Sequence, residues 1–278
     1  MPCGPSFLSG LPLNNTQPSR RIISCAVCRK NSLSKITCLL TLAASSALSQ
    51  TAEPKIRTAT FYTIKPDHRA EFLSTMKEVT AALKKGGSER HFSLWSSQSG
   101  PGEFVVVSDH VNWAELDRGY EAKLKDMAGQ LTALTSRIGN YIQSTRRVII
   151  SLEADLSLPM ADAPAPPMAR VIRTWVRPEH NDAYRALIKS EILPAAKKAG
   201  LKLYSVGRVR FGGSVYEYEI VSAVANWAEM DGPAAIVTAM GGEAAYQKFL
   251  VKQRPMITRT EYEMYRLMKD QSYMPDPK

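Results

Sequence analysis

Two blocks of this sequence occur twice, in the same order and at nearly the same distance. Lys65-Pro66-Asp67-His68 returns as Arg177-Pro178-Glu179-His180, and Asn112-Trp113-Ala114-Glu115-Leu116-Asp117 returns as Asn226-Trp227-Ala228-Glu229-Met230-Asp231. Such self-similarity marks a unit used twice. The fold must therefore be one that a module of about 100 residues can complete by meeting its own copy. The stretch 154–168 separates the copies and carries Pro159, Pro164, Pro166 and Pro167. Proline lacks a backbone donor and has a fixed φ, so this stretch is expected to be a linker. The copies are then 50–153 and 169–268, followed by a tail, 269–278.

Each copy reads as strand–helix–strand–strand–helix–strand. In the first, Ile56 to Ile64 is rich in β-branched and aromatic residues and stops at Lys65-Pro66, as a strand does. Phe72, Met76, Val79 and Leu83 keep the spacing of one buried helical stripe. Phe92 to Ser97 and Phe104 to Ser108 flank a Gly100-Pro101-Gly102 turn. Leu124 to Tyr141 is periodic at three and four, and Arg147 to Leu152 closes the unit. The second copy repeats this from Ala169 to Val176 through Ile257 to Leu267, with Pro194 disturbing its first helix and Gly241-Gly242 interrupting its second. Asn112 and Asn226, each three residues before a Glu, have the spacing of a capping box and are read as starts of the second helices, with Trp113 and Trp227 packed at the first turn.

The resulting fold class is α+β: two tandem ferredoxin-like βαββαβ repeats forming a pseudo-dimeric α/β barrel. Each antiparallel sheet has helices on one face and needs a second layer on the other, which the copy supplies. In element order, in the Pro-x-His helix start and in the Asn-Trp motif, the chain resembles the dimeric α/β-barrel superfamily, including its antibiotic-biosynthesis monooxygenase-like and NIPSNAP-like members. The resemblance covers about 55–153 and 169–268. It implies a barrel whose members include enzymes, haem binders and proteins without known activity, so fold does not fix function.

The first 49 residues have a different character. All four cysteines (Cys3, Cys25, Cys28 and Cys38) lie there, and no acidic residue precedes Glu53. A basic stretch is followed by the apolar run Ile36 to Leu48 and by small residues at Ala47 and Ser49. That is the order of a secretory signal, here with an extended N-terminal leader, and the expected destination is the periplasm or the exterior. The run is too short to span a bilayer. Residues 50–278 contain no cysteine, which excludes disulfides, thiol chemistry and Fe–S clusters from that part. The net charge is +10, and five of those charges precede residue 50. The remainder has no Lys/Arg cluster beyond pairs, so nucleic acid is not an expected partner. Hydrophobic residues make up 44% and charged residues 22%, which excludes a largely disordered chain.

The candidate site is the sheet face turned away from the helices. Strand residues alternate between faces. In the second copy this face is read as Arg173 and Trp175, Arg208 and Arg210, and Glu217 and Glu219, joined by Arg259, Glu261 and Glu263. In the first copy it is read as Phe61, Thr63, Ser96, Gln98, Val105 and Val107. One wall would be charged and the other apolar, a pocket suited to an amphipathic small molecule, for example a carboxylate held by Arg173, Arg208 or Arg210. The ligand-binding candidates are thus Arg173, Trp175, Arg208, Arg210, Glu217, Glu219 and Glu261. An enzyme in the same cavity is the alternative, either cofactor-independent or using haem as the resemblance implies, with Glu217 or Glu219 working against an Arg. A third reading is an interaction module or homo-oligomer docked through the charged sheet. His68 and His180 start equivalent helices, but no metal-ligand spacing accompanies them, and no metal is expected.

Overall fold

The computed structural model describes residues 53–118, 121–159 and 165–274. The expected signal segment, part of the linker and the end of the tail lie outside them.

The first half runs β1 (Ile56–Ile64), α1 (Arg69–Lys85), β2 (Ser93–Ser97), β3 (Phe104–His110), α2 (Ala128–Tyr141) and β4 (Ile142–Leu152). The second runs β5 (Met168–Val176), α3 (Asn181–Leu187), α4 (Leu193–Lys198), β6 (Tyr204–Phe211), β7 (Glu217–Val224), α5 (Ala235–Met240), α6 (Glu243–Gln253) and β8 (Ile257–Leu267). Between α3 and α4 the chain widens into a π turn, Ile188–Ile192, immediately before Pro194. A proline ring collides with the carbonyl four residues earlier, and the wider turn relieves that collision. Gly241 and Gly242 have φ of 108° and 93°, which ends α5 and allows α6 to start afresh.

All neighbouring strands are antiparallel, and the eight close into one barrel in the order β1-β3-β2-β8-β5-β7-β6-β4. Each half contributes four adjacent strands, β4-β1-β3-β2 and β8-β5-β7-β6. The halves are joined at two seams. At one, Trp95 pairs with Leu267 and Ser97 with Tyr265; at the other, Ile150 pairs with Val209 and Leu152 with Gly207. Closure leaves no unpaired sheet edge among these strands.

The core has an outer and an inner part. Outside the barrel, α1 lays Phe72 and Met76 on Leu94 and Phe104. The second half packs Tyr184, Leu187 and Ile188 on Tyr204, Val206, Tyr218 and Ile220. Full burial of one such side chain contributes about 1.5–3 kcal/mol, so these layers fix the helices on the barrel. Inside, Ala59, Phe61, Val105, Val148, Ile150, Val171, Val209 and Tyr265 meet across the axis.

The repeated Asn motifs take a different place from the one expected. Asn112 Oδ1 accepts from the Glu115 amide at 3.2 Å, and Asn226 Oδ1 accepts from the Ala228 amide at 3.0 Å. Glu115 and Glu229 reach back to the Val111 and Ala225 amides, each at 3.0 Å. These caps close short 3₁₀ turns, Trp113–Leu116 and Trp227–Met230, rather than the second helices. Trp113 and Trp227 are each 45% exposed, and Trp113 lies edge-on to Phe211 at 5.9 Å.

Candidate functional site

The barrel interior contains a cavity of about 210 Å³. Its sides are Phe61, Trp95, Val105, Val107, Val171 and Val221. Ala165 and Pro166 of the linker stand at it together with Leu203. This space has room for several waters or one small molecule.

Two charged groups interrupt the apolar lining. Arg57 donates through Nε and Nη2 to Asp109 Oδ1 and Oδ2 at 2.8 and 2.9 Å. This fork-to-fork pair joins β1 to β3. Burial works against the Arg57 charge, but Asp109 outweighs it and holds the guanidinium above its ordinary pKa, with Glu219 adding to the effect. The second group centres on Arg173, which is only 5% exposed. Arg173 Nη1 bonds Glu263, its Nη2 donates to Tyr265 Oη at 3.2 Å, and its Nε lies 3.8 Å from Glu219. Tyr265 Oη donates to Glu263 at 2.7 Å. Phe61 carries guanidinium groups near its ring, Arg173 at 4.9 Å and Arg146 at 4.2 Å from its centroid. Burial opposes the Arg173 charge, and Glu219, Tyr265 and Glu263 together raise its pKa in spite of it. Burial pushes the Tyr265 phenol up, with Arg173 pulling against it, so the phenol stays protonated as a donor.

Of the seven residues expected at the site, Arg173 and Glu219 line the cavity. Trp175, Glu217 and Glu261 share their inward face, since Trp175 pairs with Glu217 and Arg173 with Glu261, but all three lie outside the cavity lining. Arg259 covers the Trp175 ring at 4.7 Å and pairs with Glu261. Arg208 and Arg210 are on the opposite face. Arg208 pairs in register with Tyr218, which packs against the helices, whereas Gly207 pairs with Glu219. Arg208 meets Glu153 at 3.5 Å, and Arg210 Nε donates to Ser151 at 3.1 Å. In β2 likewise, Ser96 pairs with Phe104 on the helix side and Trp95 pairs with Val105 facing inward, so Ser96 and Gln98 do not form the inner wall.

The charge is also not confined to one half. Arg57 and Asp109 come from the first half and were not among the expected residues, nor were Trp95 and Tyr265. The alternation that places Phe61 inside also places Arg57 inside, four residues earlier on the same strand, so parity alone could have found it. Two glutamates stand at equivalent places: Glu103, half-buried, before β3, and Glu217, buried, at the start of β7. Burial and then Glu263 raise the Glu103 carboxyl. Burial raises Glu217, with Arg146 and Arg173 opposing.

No family model and no curated protein matches the chain. Solved structures do. A monooxygenase candidate from Lactobacillus acidophilus NCFM superposes with a TM-score of 0.55 at 11% identity, covering 81% of this chain and 100% of that one. A second monooxygenase candidate, from Fusobacterium nucleatum subsp. nucleatum, gives 0.53 at 12% identity, over 79% and 94%. An anthrone oxidase-like protein gives 0.52 at 12% identity, over 80% and 95%. The chain has the dimeric α/β-barrel fold. At these identities the likeness is one of fold.

The resemblance also raises haem, and the cavity does not fit it. The lining has no His, Cys or Met, and its one phenol, Tyr265, is already engaged by Arg173 and Glu263. Pockets for drug-sized ligands run to about 300–1,000 Å³, above the volume here. His68 and His180 stand at helix starts outside the cavity, His68 against Tyr141 at 5.3 Å. No group of three or more metal-ligating side chains occurs among the described residues. No helix among them is long and apolar enough to cross a membrane.

Proposed function

We propose that this protein binds one small amphipathic molecule inside its barrel. The observation that carries the reading is the cavity itself: an apolar sleeve of Phe61, Trp95, Val105, Val107, Val171 and Val221, with polar groups at Arg57–Asp109, at Arg173, Glu219 and Tyr265, and at Ser93, whose hydroxyl accepts from the Trp95 indole. An apolar sleeve with a few convergent polar groups gives affinity from burial and orientation from hydrogen bonds. Native mass spectrometry of the gently purified protein is the test. A retained small molecule that disappears in Val221→Trp, a variant that fills the cavity, supports the reading. An empty wild-type barrel that takes up no added small amphiphile overturns it.

A second reading is an enzyme in the same space, supported by the fold it shares with the two monooxygenase candidates and by a carboxylate, Glu219, and a phenol, Tyr265, that line one cavity and both face Arg173. Glu219 would act as proton acceptor and Tyr265 would orient the substrate. Turnover of a bound compound that is lost in Glu219→Gln while binding persists would favour this reading over plain binding.

We further infer that the two halves descend from one duplicated module, supported by their shared element order and repeated motifs, and that residues 1–49 direct export. N-terminal sequencing of protein recovered outside the cytoplasm, beginning near Gln50, would support export; recovery of uncut chain from the cytoplasm alone would refute it.

A further inference from the structure

The arginines of the cavity suggest an acidic ligand, but their partners argue for the reverse. Arg57 is held through two nitrogens by Asp109, with Glu219 as its next carboxylate. Arg173 is bonded to Glu263 and Tyr265 and faces Glu219. The charged groups lining the cavity are two cations, Arg57 and Arg173, and two carboxylates, Asp109 and Glu219, and Arg173 is further bound by Glu263 outside the lining. Within that group Glu219 is the under-served member. It is 8% exposed, it lines the cavity, and its nearest donor, Arg173 Nε, is at 3.8 Å, beyond hydrogen-bond distance. A buried carboxylate short of donors gains when a ligand brings one.

Resting on the binding reading above, we infer that Glu219 is the specificity-determining residue of the cavity and that it selects a ligand bearing a hydrogen-bond donor, with ammonium preferred over hydroxyl and carboxylate excluded. A carboxylate entering the cavity would find both guanidiniums engaged and would meet Glu219 at close range. Like charges brought together in a low-dielectric space repel strongly. An ammonium or hydroxyl seated on Glu219 would leave the Arg57–Asp109 and Arg173–Glu263 pairs intact and place its hydrocarbon against Phe61, Trp95 and the valines.

Three probes of one shape separate the charges: cyclohexanemethylamine, cyclohexanemethanol and cyclohexanecarboxylate. Each is titrated into the protein at pH 7.5 by calorimetry, with the fluorescence of Trp95 in the cavity wall as a second signal, checked against Trp95→Phe. The amine is expected to bind at least about tenfold more tightly than the carboxylate, with the alcohol between them. Glu219→Gln is expected to remove the amine's advantage while leaving alcohol binding within a factor of about three. A carboxylate that binds as tightly as the amine, or an amine preference that survives Glu219→Gln, overturns the inference while leaving the cavity reading in place. If none of the probes binds, or if binding is unchanged in Val221→Trp, the cavity reading falls and this inference falls with it.

Discussion

Removing the charge of Arg173 tests whether the interior network holds the barrel together. Arg173→Met keeps the side-chain stem and the contact with Phe61 but leaves Glu219 and Glu263, 10% and 11% exposed in their side chains, without their shared cation. Breaking a buried pair by removing one partner costs about 3–5 kcal/mol. For a folded unit of this size that lowers the melting temperature by about 6–20 °C. The loss must depend on pH. In the variant, two buried carboxylates are left without the cation they share, and protonating them relieves that loss. An acid with a raised folded pKa is fully accommodated below its unfolded pKa and destabilises the fold as pH rises through the folded one. The difference between variant and wild type should therefore be largest at pH 7.5 and shrink toward pH 5, as followed by circular dichroism melting. The triple variant Arg173→Met/Glu219→Gln/Glu263→Gln should recover most of the loss. A shift below about 2 °C at pH 7.5, or a triple variant no more stable than the single one, would mean that the Arg173 network does not hold the barrel together.

Three further predictions follow from particular residues. Burial and Glu263 raise the Glu103 carboxyl, so its ionisation opposes folding as pH rises; Glu103→Gln should gain stability over wild type at pH 8 and gain none at pH 5, measured by urea unfolding. Gly212 has φ of 83°, and a Cβ there would fall on the Arg147 carbonyl of β4, whereas Gly102, with φ of 65°, has open space around it. Gly212→Ala should cost about 1–3 kcal/mol and speed hydrogen exchange along the β4–β6 seam, with Gly102→Ala at the low end of that range and no effect on exchange at the seam. Asn112→Ala and Asn226→Ala each remove a cap and should each cost about 0.5–2 kcal/mol in the same assay, with little effect on α2 or α6, because the turns they close stand apart from those helices.

The order of elements was legible because each helix and strand carries its own period, and because the recurring Pro-x-His and Asn-Trp motifs mark corresponding places in the two halves. The face of a strand was legible only where its two sides differ. In β5 and β7 they do: Arg173 and Glu219 oppose Ile172 and Ile220. In β6 both sides are covered, one by the helices and the other by the barrel interior, so Arg-Val-Arg gives no sign of which way it faces. Charge matching with Glu217 and Glu219 drew Arg208 and Arg210 to the inner face. Their real partners are Glu153 and Ser151, which register places on the outer side. The same ambiguity in β2 exchanged Ser96 for Trp95. Arg57 and Asp109 were missed because a charged pair in an otherwise apolar wall reads as strand ends in solvent until closure brings β1 and β3 around the axis. The capping spacing of the Asn motifs was read correctly as local chemistry, but one sequence window does not show whether a capped turn runs on into the next helix.

A working chamber admits a ligand of matching size and polarity, whereas an idle gap in packing does not. A crystal structure of the protein equilibrated with cyclohexanemethylamine separates the two most directly. Density for the ring is expected among Phe61, Trp95 and Val221, with the nitrogen on Glu219. An interior holding only ordered water at saturating amine, or an amine bound solely on the outer surface, would contradict the chamber.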